Sequence, residues 1–596
     1  MKRLFRLFLY TVILITLLVA GLLAAAYWNR DTLLHTLTTE LNKEISGNVS
    51  IKKIDFTFLH SFPHFSVTLR DVKITDRQPV QYQKEIFAAD KIFLDLDLLP
   101  LLKREVVISS LYIQDADVFI FKNRNGQLNT KVFEKPQVHS TDTNDVKSKA
   151  IVLDLLDIDF QNISVRYLDS TKNKLLSFRF RNTSQTFSKT DSGHLMNFRG
   201  RMHFDSLYFN PKSGSYLTEK DIDVDLHIKL NTVAHTLNVM QSTVVYKKNK
   251  IVLTGNFELK KEGRYNLQFL ALNVNPNETR ELLNAKLIKS LGKFKIDDAA
   301  TISVNLEGRS TPGFVPYADV TFETQQAKFR YGSLDFSSLA LKGSFTNHID
   351  SLKASDNKNS KVTISSFKGI MEKFPVEGKV TFTELQDPTM NLHFTSKLSF
   401  KQINEHLDNN RFILSKGNFV TDVSYVGKVS EYLDPTRTKY EGILKGSLQI
   451  REAALRYKPK KINLDHINLK SVFTEKAFTV QALSLNVNGS AVTIKGNMQN
   501  FIPFFIQPKN KGYVNLAVTS PDFDLTSLAL KRNSDIASKK KSKKDRKKMT
   551  DLLDRIYDKL EFKVDVSVGK LKFGKFTATN FAGSVKLHNN LLAPNP

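Results

Sequence analysis

Asp221-Ile222-Asp223-Val224-Asp225-Leu226-His227-Ile228 is the stretch on which the fold turns. Aliphatic side chains hold every second position, and charged or polar ones fill the gaps. A strand sends successive side chains to opposite faces, so a period of two builds one apolar and one wet face. A helix would scatter the same aliphatics around its circumference. The alternation recurs in Ile92-Phe93-Leu94-Asp95-Leu96-Asp97-Leu98, in Thr301-Ile302-Ser303-Val304-Asn305-Leu306 and in Phe562-Lys563-Val564-Asp565-Val566-Ser567-Val568. From Asn48 onward it dominates, and the chain reads as mainly β.

The strand-like segments repeat. Asn266-Leu267-Gln268-Phe269, Asn391-Leu392-His393-Phe394 and Asn515-Leu516-Ala517-Val518 recur at spacings of 125 and 124. A second landmark, Ala327-Lys328-Phe329-Arg330-Tyr331, matches Ala453-Ala454-Leu455-Arg456-Tyr457 126 residues later. Ser164-Val165-Arg166-Tyr167 points to an earlier, more divergent unit. Short helices are expected after each Asn-Leu landmark, at Glu278 to Leu291, Lys401 to Leu407 and Leu525 to Leu530, with a further one at Asp551 to Leu560. Two landmarks sharing one period imply a β-rich unit of about 125 residues stacked in tandem. The third copy reads as incomplete, either shortened or a deliberately short capping unit.

Length and composition fit this. A chain of 596 residues exceeds one hydrophobic core, and 43 phenylalanines suit strands. The absence of cysteine removes disulfides, thiolate nucleophiles and cysteine-ligated metals. The formal charge is +27, and the segment 539–548 concentrates it, with Lys539, Lys540, Lys541, Lys543, Lys544, Arg546, Lys547 and Lys548 set against the single acid Asp545. No nucleic-acid-binding motif accompanies the charge, so no nucleic-acid partner is expected. The run reads as a solvated basic loop or as a contact for anionic lipid headgroups.

The N-terminus carries the compartment signal. After Met1-Lys2-Arg3-Leu4-Phe5-Arg6, Leu7 to Trp28 contains 22 residues without a charge. As a helix this run is about 33 Å long, enough to cross a hydrocarbon core. Leu7, Ile13, Leu17 and Leu22 form its apolar body, and Tyr27 and Trp28 stand where an interfacial pair belongs. The early basic residues keep the N-terminus cytoplasmic, so everything after Arg30 lies on the other side of the membrane, as a single-pass protein. A cleaved signal peptide ending near Ala24-Ala25-Ala26 is the rival, disfavoured by the length of the run. Asp31 to Ile45 then reads as a helix with Leu34, Leu37, Leu41 and Ile45 on one face.

Sites for chemistry are scarce. His60 and His64 flank Phe62-Pro63, which breaks a helical metal pair. Asp221, Asp223 and Asp225 resemble the start of a calcium loop, but Leu226 stands where glycine is needed and Thr232 where the bidentate glutamate belongs. No nucleophile elbow, zinc-protease, P-loop or dinucleotide pattern occurs. The reading is a non-enzyme without catalytic residues, metal or cofactor. Phe501-Ile502-Pro503-Phe504-Phe505-Ile506 is either core or an exposed apolar edge.

The N-terminal pattern resembles the AsmA-like proteins of Gram-negative bacteria. The likeness rests on the basic leader and anchor, Ile45-Ser46-Gly47-Asn48-Val49-Ser50-Ile51, Phe62-Pro63, Val67-Thr68-Leu69-Arg70-Asp71-Val72-Lys73-Ile74-Thr75-Asp76 and Val165-Arg166-Tyr167-Leu168-Asp169. It implies an inner-membrane protein projecting an elongated, folded-over antiparallel β-sheet groove with a few short helices into the periplasm, related to TamB and to bridge-like lipid-transfer proteins. It also implies movement of phospholipid toward the outer membrane; assembly of outer-membrane proteins is the alternative. Candidate groove residues are Phe56, Phe58, Ile92, Leu94, Leu96, Ile222, Val224, Leu226, Ile302, Val304, Leu306, Phe562, Val564 and Val566. Those apolar faces could equally close on one another as a dry core. The expected divisions are leader and anchor 1–29, an N-terminal β region 30–146, a divergent unit 147–264, repeats 265–390 and 391–514, and an incomplete repeat 515–596.

Overall fold

The computed structural model describes residues 21, 28, 30–57, 65–76, 85–96, 108–133, 155–208, 214–311, 313–332, 334–371, 374–402, 412–430, 441–458, 461–506, 510–528, 560–588 and 591–595. The architecture is mainly β, an open and predominantly antiparallel sheet with few short helices. The chain forms two compact units, Met1–Ala318 and Asp319–Pro596.

Unit one opens with the helix Arg30–Glu44, within a residue of its expected bounds. Asp31 in its first turn and Lys43 in its last complement the helix dipole. Its apolar side, Leu34, Leu37 and Leu41 with Ile45 beyond, packs on Val49, Ile51, Ile54, Val67, Leu69 and Val72 of the first two strands. Asn42 fixes the docking: its side-chain Oδ1 accepts from the Val49 N–H (2.7 Å) and its Nδ2 donates to the Val49 carbonyl (2.9 Å). The amide thus takes the place of a neighbouring strand.

Most neighbours in the unit pair antiparallel, as in Asn48–Thr57 with Phe65–Thr75 and Gly193–Tyr208 with Lys220–Asn231. One junction corrects the expectation of a wholly antiparallel sheet. Ile108–Lys122 and Leu155–Asp169 run parallel. Parallel neighbours need a long crossover, and segment 123–154 supplies one.

Across eight strands one row of paired residues is continuous: Ile51, Val72, Ala89, Ala116, Ile163, Phe180, Met202 and Ile222. All but Phe180 are buried. Just before three of them stand Asp71, Asp115 and Asn162 with φ of 49°, 52° and 56°, the left-handed region that Asp and Asn tolerate best. Each such residue faces one unpaired residue on the next strand, so the apolar phase slips while the register between strands holds. Matched from strand to strand, these steps form a row across the sheet, and along that row the ladder itself shifts register only at its far part, between Phe180 and Asn182. Asn162 Nδ2 donates to Asp115 Oδ1 (2.7 Å), tying neighbouring steps together.

In unit two the phase slips through true register shifts. In Tyr317–Tyr331, Ala327 is flanked by register shifts on both sides, and in Ile443–Tyr457 so is Ala453. Both alanines are almost fully buried, at 1% and 0% exposure. The two landmarks read as a repeat therefore occupy the same structural position. The unit is a run of antiparallel hairpins until Gly512–Asp524 and Leu560–Phe573, a second parallel pair, joined through segment 525–559.

The expected helices are shorter than read. Glu278 to Leu291 divides into Pro276–Thr279, a 3-10 turn Arg280–Leu282 and Ala285–Leu291. Leu283 is extended, and the Asn284 side chain restarts the helix by accepting the Leu287 N–H. Leu525–Leu528 is a 3-10 turn, Lys401 and Gln402 are helical, and 403–411 lie outside the described residues. Leu560 begins a strand rather than ending a helix, and 551–559 lie outside the described residues. Phe501–Ile506 is helical, with Pro503 in the first turn, where no intrahelical N–H is needed.

Candidate functional site

The apolar sheet faces are the candidate site, and each unit carries its own. In unit two, Val514, Leu516 and Val518 alternate with exposed Tyr513, Asn515, Ala517 and Thr519. Phe562, Val564 and Val566 alternate with exposed Lys563, Asp565 and Ser567. Register aligns the faces into rows, Met498–Val514–Phe562, Gly496–Leu516–Val564–Val585 and Ile494–Val518–Val566–Gly583. The three predicted residues Phe562, Val564 and Val566 thus lie together on one surface. They and their row partners Leu516, Val518 and Ile494 are half-buried, not sealed. Burial closes the rows at both ends: Val568, Ser520 and Val492 are 5–6% exposed just beyond the Val566 row, and at the Met498 end Phe504 of Phe501–Ile506 is 1% exposed while Phe501 packs on Phe473 and Phe478.

In unit one the row Gly200–Val224–Val244–Ile251–Ala271–Ile302 carries two of the predicted residues across six strands. Its ends differ. Ile222 (2% exposed) and Val224 (6%) lie in a core with Met202 and Tyr246, and Leu226, Leu217 and Leu282 pack against it. They close an interior here rather than line an accessible face. Ile302, Val304 and Leu306, paired with Ala271, Phe269 and Leu267, stay half-buried. Phe56, Ile92 and Leu94 pack beside the entry-helix core. Leu96 ends its strand. Phe58, the anchor positions Leu7, Ile13, Leu17, Leu22 and Tyr27, and Lys539, Lys540, Lys541, Lys543, Lys544, Arg546, Lys547 and Lys548 lie outside the described residues. Trp28 is exposed. Among the described residues no helix is long and apolar enough to cross a membrane.

The wet face explains the three aspartates. Arg199 meets Asp225 (3.1 Å), Arg201 meets Asp223 (2.8 Å) and His203 Nδ1 meets Asp221 (2.9 Å), each across neighbouring strands. Their charge is matched by bases in register, not gathered around a cation. His203, Asp205 and Glu219 approach metal-ligand spacing. Asp205, however, already accepts from Arg179 (2.6 Å) and Ser177 (2.9 Å). Burial pushes the Asp205 carboxyl up, and these bonds outweigh it, so it sits below the usual range. Tyr246 is pushed up to about 12 by burial and by its hydrogen bond to Glu281 (2.6 Å). The same bond is the main cause of the lowered Glu281 carboxyl.

The residues that shape these faces were missed by the alternation windows, though the chain carries a signal for them. Apolar positions run Leu111, Ile113, then Ala116, Val118, Ile120, a slip of phase at Asp115. Leu448, Ile450, then Ala453, Leu455, Tyr457 slip at Glu452, whose φ is 47°. The slip at Glu452 is a bulge, marked by a register shift between Ile450 and Ala453, whereas the one at Asp115 is matched by Asp90 and Asn162 on its neighbours and the register holds.

These features define a class of β-sheet proteins whose units each carry apolar sheet faces, with a docked helix at the entry to unit one. The AsmA family model matches residues 1–387, and the chain belongs to the AsmA family. Comparison with curated proteins and with solved structures finds no significant match.

Proposed function

We propose that this protein is anchored in the inner membrane by Leu7 to Trp28, projects its sheets into the periplasm, and binds and conducts phospholipid along their apolar faces, supporting lipid homeostasis of the outer membrane. The observation that carries this reading is the pair of half-buried rows Val304–Phe269–Leu253 and Ile494–Val518–Val566, apolar in register from strand to strand, the second backed by exposed Lys563, Asp565 and Ser567. Moving two acyl chains through water costs on the order of 20 kcal/mol at about 0.8 kcal/mol per methylene. A face that stays apolar at every step offsets this without a tight site that would hold the lipid. In this reading each sheet folds over along its rows of slipped phase and shelters acyl chains on one side. The basic segment 539–548 suits anionic headgroups.

The test is purification of the full chain in mild detergent followed by lipid mass spectrometry, with a photo-crosslinking residue at Val304 or Val566. Stoichiometric phospholipid and crosslinks to lipid from both positions are expected. A lipid-free protein whose crosslinks go instead to outer-membrane proteins would overturn lipid conduction in favour of the assembly role.

A further inference from the structure

The helix Ala285–Leu291 and the strand Phe294–Ile296 are built inside out. Leu282 and Asn284 root the segment, Leu282 against the core of Ile222 and Tyr246, and Asn284 buried with its side chain on the Leu287 N–H. Beyond that root the large apolar groups turn outward: Leu287, Ile288, Leu291 and Phe294 are 37–42% exposed. Lys286, Lys289, Lys293 and Lys295 are exposed among them, and none forms an ion pair among the described residues. No acid interrupts the stretch Ala285 to Lys295. The preceding acids are engaged on the sheet side, Glu278 with Asn249 (2.7 Å) and Glu281 with Tyr246 and Lys247. Arg280 holds the outward segment in place by donating to the carbonyls of Leu291 (3.3 Å) and Phe294 (3.2 Å), and Asn277 donates to Ile296 (2.7 Å).

Its place in the fold matters as much as its composition. One margin of the unit-one sheet runs through Asn48 and Thr75, Ile74 and Phe87, Lys122 and Asp169, Leu175 and Tyr208, Tyr246 and Asn249, and Val274 and Ala300. The entry helix Arg30–Glu44 joins the sheet at this margin, and the segment 275–299 leaves from it. An apolar patch bearing four lysines that form no ion pair among the described residues, with Asp297 and Asp298 just beyond it, matches one occupant, an anionic bilayer, in both charge and greasiness.

We infer that Ala285 to Lys295 is a second, interfacial contact with an anionic bilayer, seating its leucines and Phe294 at the headgroup boundary of the membrane that carries the anchor. The inference rests on the anchor reading for which membrane is meant. Each lysine brought to an anionic surface shifts the docked-to-undocked ratio about five-fold, as 1 kcal/mol per residue implies.

The chain has no cysteine, so a single probe is unambiguous. The full chain is reconstituted into vesicles of phosphatidylcholine with or without phosphatidylglycerol, carrying nitroxide-labelled lipid, with a fluorophore on Leu291→Cys. Val233→Cys, exposed at the turn of the opposite margin, is the reference. Quenching at position 291 but not 233, dependent on phosphatidylglycerol and lowered about 30-fold in docked ratio by K289Q/K293Q, supports the contact. Co-flotation with vesicles at high pH reads the anchor separately. A chain that floats but shows no quenching at 291, or equal quenching without anionic lipid, overturns the inference and leaves the anchor standing. Quenching at 291 in a chain that does not float at high pH supports the contact and sinks the anchor. Neither flotation nor quenching sinks both.

Discussion

Placing the same carboxylate on two apolar positions separates a sealed interior from an accessible face. Ile222 is 2% exposed beneath Leu217 and Leu282, whereas Val566 is half-buried between Val518 and Gly583. At Ile222 an introduced carboxyl loses its water among Met202, Val224, Tyr246, Leu217 and Leu282. Burial of that depth raises a carboxyl pKa by up to 3–5 units, and at 1.36 kcal/mol per unit Ile222→Glu costs roughly 4 kcal/mol at neutral pH before any loss of packing. At Val566 the carboxylate keeps solvent, and Val566→Glu forfeits about half of a valine's burial, about 1 kcal/mol. Peptide-resolved hydrogen exchange in urea is the suitable assay, because a chain of two units does not unfold as one step. Unit-one strands around Lys220–Asn231 should lose protection in Ile222→Glu, and unit two should stay near wild type in Val566→Glu while its bound lipid falls. The introduced carboxyl at 222 titrates higher folded than unfolded. The folded state therefore binds more protons, and stability should recover as pH falls toward 4. Equal and severe losses from both substitutions would show the Val566 face sealed and remove the basis for lipid conduction.

Asn42→Ala should free the entry helix at a cost of about 1–3 kcal/mol, seen as faster exchange in Arg30–Glu44, because both Val49 backbone groups lose their partner. Gly417→Ala should destabilise unit two by about 1–3 kcal/mol in thermal or urea melts: at φ +114° an added Cβ would lie 2.4 Å from Ala453. The bond between Tyr246 and Glu281 sets limits at both ends of the pH scale. The Tyr246 hydroxyl titrates at about 12 folded against about 10 unfolded, so its contribution is full below pH 10 and lost as pH rises toward 12. The Glu281 carboxyl is lowered, so its contribution holds above its ordinary range and fades in acid. Exchange in Pro276–Leu291 should rise at both extremes, and Tyr246→Phe should abolish the alkaline limb.

Local pattern made much of this fold legible. Period two located the strands Lys220–Asn231, Ala300–Arg309 and Leu560–Phe573, and the Leu34, Leu37, Leu41 and Ile45 stripe placed the entry helix. The Ala327 and Ala453 landmarks coincide because the same bulge geometry demands a small, buried side chain at both. What stayed hidden depends on parts distant in sequence. Alternation marks Ile222 and Val304 alike as facing one side; only Leu217 and Leu282, folded across the first, make it core. Parallel pairing of Gly512–Asp524 with Leu560–Phe573 leaves no trace in either strand, since an alternating strand serves both directions. The basic segment Lys286 to Lys295 escaped because its apolar residues satisfy a helical stripe that ordinarily points inward.

The two parallel junctions also bear on how the chain acquires its shape. Hairpin neighbours meet as soon as both strands exist, so most of each sheet can zip up strand by strand as the polypeptide emerges. At Ile108–Lys122 with Leu155–Asp169, and again at Gly512–Asp524 with Leu560–Phe573, the growing margin waits for the crossover to be delivered before its next partner arrives. During that wait, a row of unsatisfied amides and carbonyls stands open. Vectorial assembly should therefore pause at these two places, where a misplaced strand would do most harm.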